Sequence, residues 1–248
     1  MRKSFTYILL FLTISLSGQR IGIIASSVST TSTLYTGLIS YWQANDASGN
    51  LTDAVTGNTG IVTNGTPTYS VSGKVGTAIT FAGAEHFLVG TTTSLRLPQI
   101  TVSFTFKTTT NAYQGLVTDQ WDDGTNHYGF AVTTEGNVVG ARANYGTGLG
   151  PIVYSTTDIT SGAWFHVVFT SDGTNIKLYI NGTQEGGDVS FPYNLVYDAN
   201  CNFDIGARNN GGIPFTGILD EIKIWDHALI QSEITEDYYN VTNGIPLL

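Results

Sequence analysis

From residue 38 onward, apolar and polar positions alternate in short runs separated by clusters rich in Gly, Asn and Asp. In 101–107 (TVSFTFK), Val102, Phe104 and Phe106 fall on one side and Ser103, Thr105 and Lys107 on the other; Ile176, Leu178 and Ile180 repeat the pattern within 175–180. A period of two is that of a half-buried strand, because successive side chains leave opposite faces of the pleat. Similar runs rich in Val, Ile, Thr, Tyr and Phe predict strands over 38–42, 78–81, 87–89, 114–118, 128–133, 138–143, 164–171, 202–205 and 218–225. Asn64-Gly65, Glu135-Gly136, Asp172-Gly173 and Asn181-Gly182 mark tight turns, where Gly and Asn accept positive φ. The three residues 172–174 join 164–171 to 175–180 as a hairpin. Only 231–239, with Ile234 and Tyr238 among Glu233, Glu236 and Asp237, has a helical pattern, and Ser232 is its expected cap. Many strands, frequent turns and one short helix predict an all-β sandwich or barrel.

Composition narrows the partners. With 10 Lys and Arg against 19 Asp and Glu, the net charge of -9 argues against nucleic acid, which is bound through clustered cations. It also disfavours anionic lipid surfaces and sulfated glycans, leaving a neutral or cationic partner. Only 12% of residues are charged, too few for exposed amphipathic helices of a bundle or coiled coil. The lone Cys201 excludes an intrachain disulfide framework and a cysteine-based zinc site.

The N-terminus has a different character. Arg2 and Lys3 precede an apolar run over 7–16, with Ser15, Ser17 and Gly18 at its exit. This is the layout of a secretory signal peptide, and the run falls short of the roughly 20 apolar residues that span a bilayer. Cleavage after Ser17 or after Ser27 fits the small-residue rule. The expected organisation is a leader or anchor over 1–27, a Ser/Thr-rich linker over 28–36 and one domain over 37–248, with no membrane span in the mature chain. Sequons begin at Asn50, Asn64, Asn181 and Asn240 and carry meaning only in a eukaryotic secretory pathway.

Five segments, in order, resemble laminin-G-like domains of the concanavalin A-like lectin and glucanase group: GLISYW (37–42) with NDASGN (45–50), GKVGTAITFAG (73–83), GAWFHVVFTSDG (162–173) with IKLYING (176–182), FDIG (203–206), and GILDEIKIWDHAL (217–229). The resemblance covers about residues 37–240. It implies a concanavalin A-like jelly-roll sandwich of two curved antiparallel sheets, one short C-terminal helix, and membership of a group made mostly of glycan- or protein-binding modules. It also implies a structural calcium ion at Asp220, with Asn45 and Asp46 as further ligands. Here Asn45 replaces one expected carboxylate and Ala82 another; the alternative is that Asp220 and Glu221 only hydrogen-bond the opening loop. Trp42, Trp164 and Trp225 occupy family core positions, and His166 reads as a hydrogen-bonded structural histidine.

Catalytic signatures are missing from the sequence. The E-x-D-x-x-E arrangement of related glucanases does not occur, since Lys223 stands two residues after Glu221, and there is no G-x-S-x-G elbow. Trp121 stands apart from the core tryptophans in a polar stretch, DQWDDGTNHY (119–128). An indole face for the apolar side of a sugar, beside Asp122, Asp123, Asn126, His127 and Tyr128 for its hydroxyls, makes a candidate lectin surface. Neighbouring loops add Arg142, Asn144 and Tyr145, or Arg208, Asn209 and Asn210. The expected function is non-catalytic recognition of a glycan or glycoprotein at an extracellular surface. The alternative is a structural adhesion or decoration protein of a virion, fibre or cell-surface layer, marked by self-assembly or a shell partner.

Overall fold

The alternation along the chain is realised as antiparallel sheets. The structure is a computed structural model that describes residues 4–8, 27–208 and 210–248. The chain divides into two units, Met1–Thr36 and Gly37–Leu248. In the first, β1 (Ser4–Ile8) pairs antiparallel with β2 (Ser27–Thr31), Ser4 opposite Thr31. The leader expected over 1–27 lies largely outside the described residues. Among those residues, no helix is long and apolar enough to cross a membrane.

The second unit begins with β3 (Leu38–Trp42), β4 (Ile61–Thr63), β5 (Thr68–Ser72), β6 (Thr77–Ala82), β7 (His86–Gly90), β8 (Ile100–Lys107), β9 (Ala112–Asp122) and β10 (His127–Gly136). It continues with β11 (Val138–Ala143), β12 (Ile152–Tyr154), β13 (Phe165–Ser171), β14 (Asn175–Ile180), β15 (Thr183–Ser190), β16 (Asn202–Ile205) and β17 (Thr216–Trp225), and closes with α1 (Gln231–Thr242). One sheet has seven strands in the order β12-β11-β10-β9-β16-β7-β4. The other has eight, β15-β14-β13-β8-β17-β6-β5 with β3 also on β17. β3 and β6 share one edge of β17, the first against Ile222–Trp225 and the second against Thr216–Leu219. Inward residues of both sheets form one core that includes Trp42, Phe81, Phe104, Phe106, Phe130, Phe203 and Phe215. This is the jelly-roll sandwich expected from the sequence.

Three local expectations are corrected. Trp164 is half-buried with Lys107 over its ring (5.1 Å), so it is not a core tryptophan. Trp225 is buried but lies outside the inter-sheet cluster. Ser232 does not cap α1: the helix starts after Ile230, whose N–H donates to Glu233 Oε2 (3.0 Å), so the acid at the third helical position supplies the acceptor.

β17 carries a bulge. Asp220 pairs with Thr105 and Lys223 with Ser103, so two residues of β17 face one of β8, and Glu221 takes φ +58°. The extra residue lets Leu219, Ile222 and Ile224 all reach the core while Lys223 points to the outer face. There Tyr41, Lys223 and Ser103 stand side by side on neighbouring strands, all buried, and α1 closes over them. Lys223 Nζ contacts Asp237 Oδ1 of the helix (2.9 Å), and Asp237 Oδ2 accepts from Ser103 Oγ (2.6 Å) and lies 2.9 Å from His166 Nε2. Tyr41 donates to Glu221 Oε2 (2.5 Å), which also faces Lys223 Nζ at 3.6 Å. Burial alone would raise the Asp237 carboxyl, but the Lys223 charge, with His166 and Ser103, outweighs it and holds the group well below the usual carboxylate range. His166 is thus the structural histidine anticipated above.

Removing one member of a buried charge pair strands the other. Lys223→Ala and Asp237→Ala are each expected to lower the unfolding free energy by about 3–5 kcal/mol in urea titrations; a loss under about 1 kcal/mol would show that the pair does not clamp the helix. Stability also depends on pH. Burial pushes the carboxyls of Asp119, Asp204 and Asp220 each up to about 7. A folded-state pKa above the unfolded value contributes stability that is present at low pH and lost as pH rises through about 7. His86, lowered by burial, acts oppositely below its ordinary range, but one group opposes three. The melting temperature is expected to be higher near pH 5.5 than near pH 8; the reverse order would contradict the burial of these acids.

Candidate functional site

The stretch 119–128 is less of a loop than its polarity implies. β9 runs through to Asp122 and β10 starts at His127, leaving only a tip between them. Asp119 is buried and pairs across the sheet with Phe130 and Phe203, so its side chain faces the interior, not a ligand. The tip is organised by its own acids. Asp123 Oδ1 accepts from the N–H groups of Thr125 (2.9 Å) and Asn126 (2.7 Å), and Asn126 Nδ2 donates to Asp123 Oδ2 (3.1 Å). These donations, that from the Asn126 backbone first, lower the pKa of the Asp123 carboxyl. Asp122 Oδ2 lies 3.1 Å from His127 Nδ1.

Three loops are joined at this end of the sandwich: the 122–127 tip, 143–151 between β11 and β12, and 191–201 between β15 and β16. Gly129 N–H donates to the Val196 carbonyl (2.7 Å), Val196 N–H to the Asn144 carbonyl (3.3 Å), and Gly146 N–H to the His127 carbonyl (3.0 Å). Asn126 and Gly148 form an isolated bridge. Gly129, at φ +68°, allows the close approach, because a Cβ there would sit 1.7 Å from the Asp119 carbonyl oxygen. Asn144 is the hub: fully buried, it donates from Nδ2 to the Tyr128 carbonyl (3.3 Å) and accepts at Oδ1 from Gly150 N–H (3.1 Å). Its amide therefore fixes the loops and is not free to read a sugar.

Aromatic rings line the joined end. Trp121, 38% exposed, is the cross-strand partner of Tyr128. Gly146, beside Tyr145, lies against both Tyr128 and Val196. Tyr145 stacks on Tyr193 with ring centroids 4.4 Å apart and planes 15° from parallel, and Phe191 is buried beneath the pair. Tyr193, 49% exposed, was not among the residues proposed from sequence; the signal was the aromatic run FPYNLVY (191–197). Trp121, Asp122, Asp123, Asn126, His127, Tyr128, Asn144 and Tyr145 are thus brought to one end. Arg142 lies beside it, its Nη1 donating to the Gly150 carbonyl. Arg208 does not join them: its Nε donates to Gln120 Oε1 (2.9 Å) and its Nη1 meets the Tyr113 hydroxyl. Asn210 N–H donates to Asp204 Oδ2 (2.8 Å), and Asn209 lies outside the described residues.

Two other clusters hold residues of catalytic or metal-binding type. Ser103, His166 and Asp237 touch, but both the hydroxyl and the carboxylate lie on Nε2, and Nδ1 has no partner. A nucleophilic triad needs the acid on one ring nitrogen and the serine on the other. Asn45, Asp46 and Asp220 do not form a common calcium cradle. Asn45 Oδ1 accepts from Thr77 N–H and hydroxyl, Asp46 from Thr52 N–H and hydroxyl, and Asp220 Oδ2 from Lys74 and Val75 N–H. Asp220 Oδ1 is buried without a partner while the other oxygens of the three residues already accept from the chain, a set short of the six to eight oxygens calcium takes. Elsewhere, a groove of about 350 Å³ on the eight-stranded sheet is lined by Thr170, Lys177, Tyr179 and Gln231 among others.

A laminin-G family model, described as the concanavalin A-like lectin/glucanases superfamily, matches residues 81–235. The chain belongs to that superfamily. A stretch of 170 residues, 64% of the chain, is 26% identical to adhesion G-protein coupled receptor V1 of Danio rerio but spans only 3% of the receptor's length. Domain 4 of the extracellular arabinanase AbnA of Geobacillus stearothermophilus, solved with arabinotriose, superposes with a TM-score of 0.64 at 22% identity, covering 80% of this chain and 97% of that domain. The binding domain of botulinum neurotoxin DC, solved with SialylT, gives 0.63 at 14% identity over 84% and 52% of the two chains. Likeness at this level establishes the shared sandwich.

Asn144→Ala should loosen all three loops at once. Loss of its buried bonds is expected to cost about 1–3 kcal/mol and to speed hydrogen exchange across 143–151 and 191–201. Exchange unchanged in both loops would show that they are held independently.

Proposed function

We propose that this superfamily domain is a non-catalytic carbohydrate-binding module whose ligand lies on the loop end, against Trp121 and the Tyr145–Tyr193 stack. The observation that carries the reading is the exposure of these rings on a surface held rigid by inter-loop backbone bonds. Aromatic faces pack on the C–H face of a sugar, and carboxylates, hydroxyls and carboxamides receive its hydroxyls. Asp122, Asp123, Asn126, His127 and the Tyr128, Tyr145 and Tyr193 hydroxyls are the polar groups in place for that. The arabinotriose and SialylT complexes of sandwiches similar to this one support the reading. So does the burial of Asp220 and Glu221, which keeps the one adjacent acid pair of β17 from flanking a glycosidic bond. The proposed setting is extracellular.

A second reading, an adhesion or decoration module, is favoured by the likeness to an adhesion receptor. The two are separated by a glycan array probed with the full chain, in calcium and in chelator. Reproducible hits that vanish in Trp121→Ala, with melting changed by no more than about 2 °C, are the expected result. Because the calcium donor set is incomplete, the hits should persist in chelator. A blank array in both conditions, together with concentration-dependent self-assembly, would overturn the carbohydrate reading in favour of the structural one.

A further inference from the structure

Charge placement restricts the class of glycan. All four lysines among the described residues lie away from the loop end. Lys223 is buried against Asp237, and Lys177 pairs with Asp188 of β15 (3.3 Å). Lys107 sits over Trp164, and Lys74 lines a small cavity with His166 and Tyr238. Of the three arginines among the described residues, Arg96 donates from Nη2 to the Cys201 carbonyl (3.1 Å), Arg142 from Nη1 to the Gly150 carbonyl, and Arg208 from Nε to Gln120. Among the described residues no ammonium lies at the loop end, and the two guanidinium groups that reach its loops are tied to backbone carbonyls.

The loop end instead carries carboxylates. Asp122 and Asp123 are exposed at the hairpin tip and Asp198 is half-buried in 191–201. At the tip, His127 Nδ1 faces Asp122 Oδ2. Asp123 receives three donations from the chain, so it stays ionised across the physiological range. An incoming carboxylate or sulfate at the hairpin tip would meet the like charge of the exposed Asp122 and Asp123. An uncharged ring meets aromatic faces and hydrogen-bonding groups.

We infer that the loop end selects neutral glycans and rejects those bearing sialic acid, uronic acid or sulfate. The inference rests on the carbohydrate-binding reading and names the ligand class of that same site. The sandwich itself does not dictate this choice, since the neurotoxin DC binding domain was solved with SialylT and the arabinanase domain with the neutral arabinotriose. The selectivity belongs to the charges on this chain's three loops.

The test uses the full chain on an array in which neutral oligosaccharides are printed beside their sialylated, uronic and sulfated counterparts, followed by calorimetric titration of the strongest pair. The neutral member is expected to bind on the order of ten-fold tighter. That gap should narrow at high salt, which screens exposed charges, and in Asp122→Asn/Asp123→Asn. Charged members binding as tightly as neutral ones, or more tightly, would overturn the inference while leaving carbohydrate binding intact. Binding to no member at all would overturn both. If the double variant unfolds, the salt dependence of the wild type decides: a gap that stays constant or widens with salt contradicts a charge-based exclusion.

Discussion

One buried ion pair, Lys223 with Asp237, holds the last element of the chain to the rest. A lysine in the middle of a strand is tolerable in a dry place only if a carboxylate meets it and its remaining donors are occupied. Here Asp237 supplies the charge, while Ser103 and His166 complete the carboxylate's own needs. The group ties β8, β13, β17 and α1 into one body, and β3 joins through Tyr41 and Glu221. The bulge at Glu221 makes this possible. Were β17 regular through Glu221, Lys223 would turn inward and Ile222 and Ile224 would lose the core.

That rigid half leaves the other end of the molecule free to specialise. The strands of the seven-stranded sheet carry loops of moderate length, and their backbones are bonded to one another before any ligand arrives. Asn144 and Gly129 do most of this work: one supplies a buried amide hub, the other a position where no side chain fits. A preorganised surface has little ordering entropy left to lose on binding, so modest aromatic contacts can yield useful affinity. The acids at the hairpin tip serve both purposes, bracing the turn and setting the charge of the surface.

The sequence showed the central strands well and the margins poorly. The strands that pattern reading passed over in the Gly37–Leu248 unit, β4, β5, β12 and β15, are the sheet edges. Edge strands are short or polar on both faces, as in TQEGGDVS, so the period-two signal is lost. His166 and Trp42 were legible because family motifs fix them. Trp164 was misjudged because the same motif places it at the end of a strand, where packing is incomplete. The loop cluster was half legible. Trp121 stood out as an aromatic ring in a polar stretch, whereas Tyr193 comes from a segment about 70 residues later, and only the folded chain shows that it stacks on Tyr145. Arg208 looked equally suitable, but its reach toward Gln120 depends on a register that spacing cannot reveal.

Central to the proposed function is reception of ligand at the joined loops and not in the groove on the opposite sheet. Hydrogen-exchange mapping of the full chain with and without a saturating neutral oligosaccharide tests it most directly. Slowed exchange confined to 119–128, 143–151 and 191–201 is the predicted result. Protection centred on 170–184 and 228–231, with the loops unaffected, would contradict it.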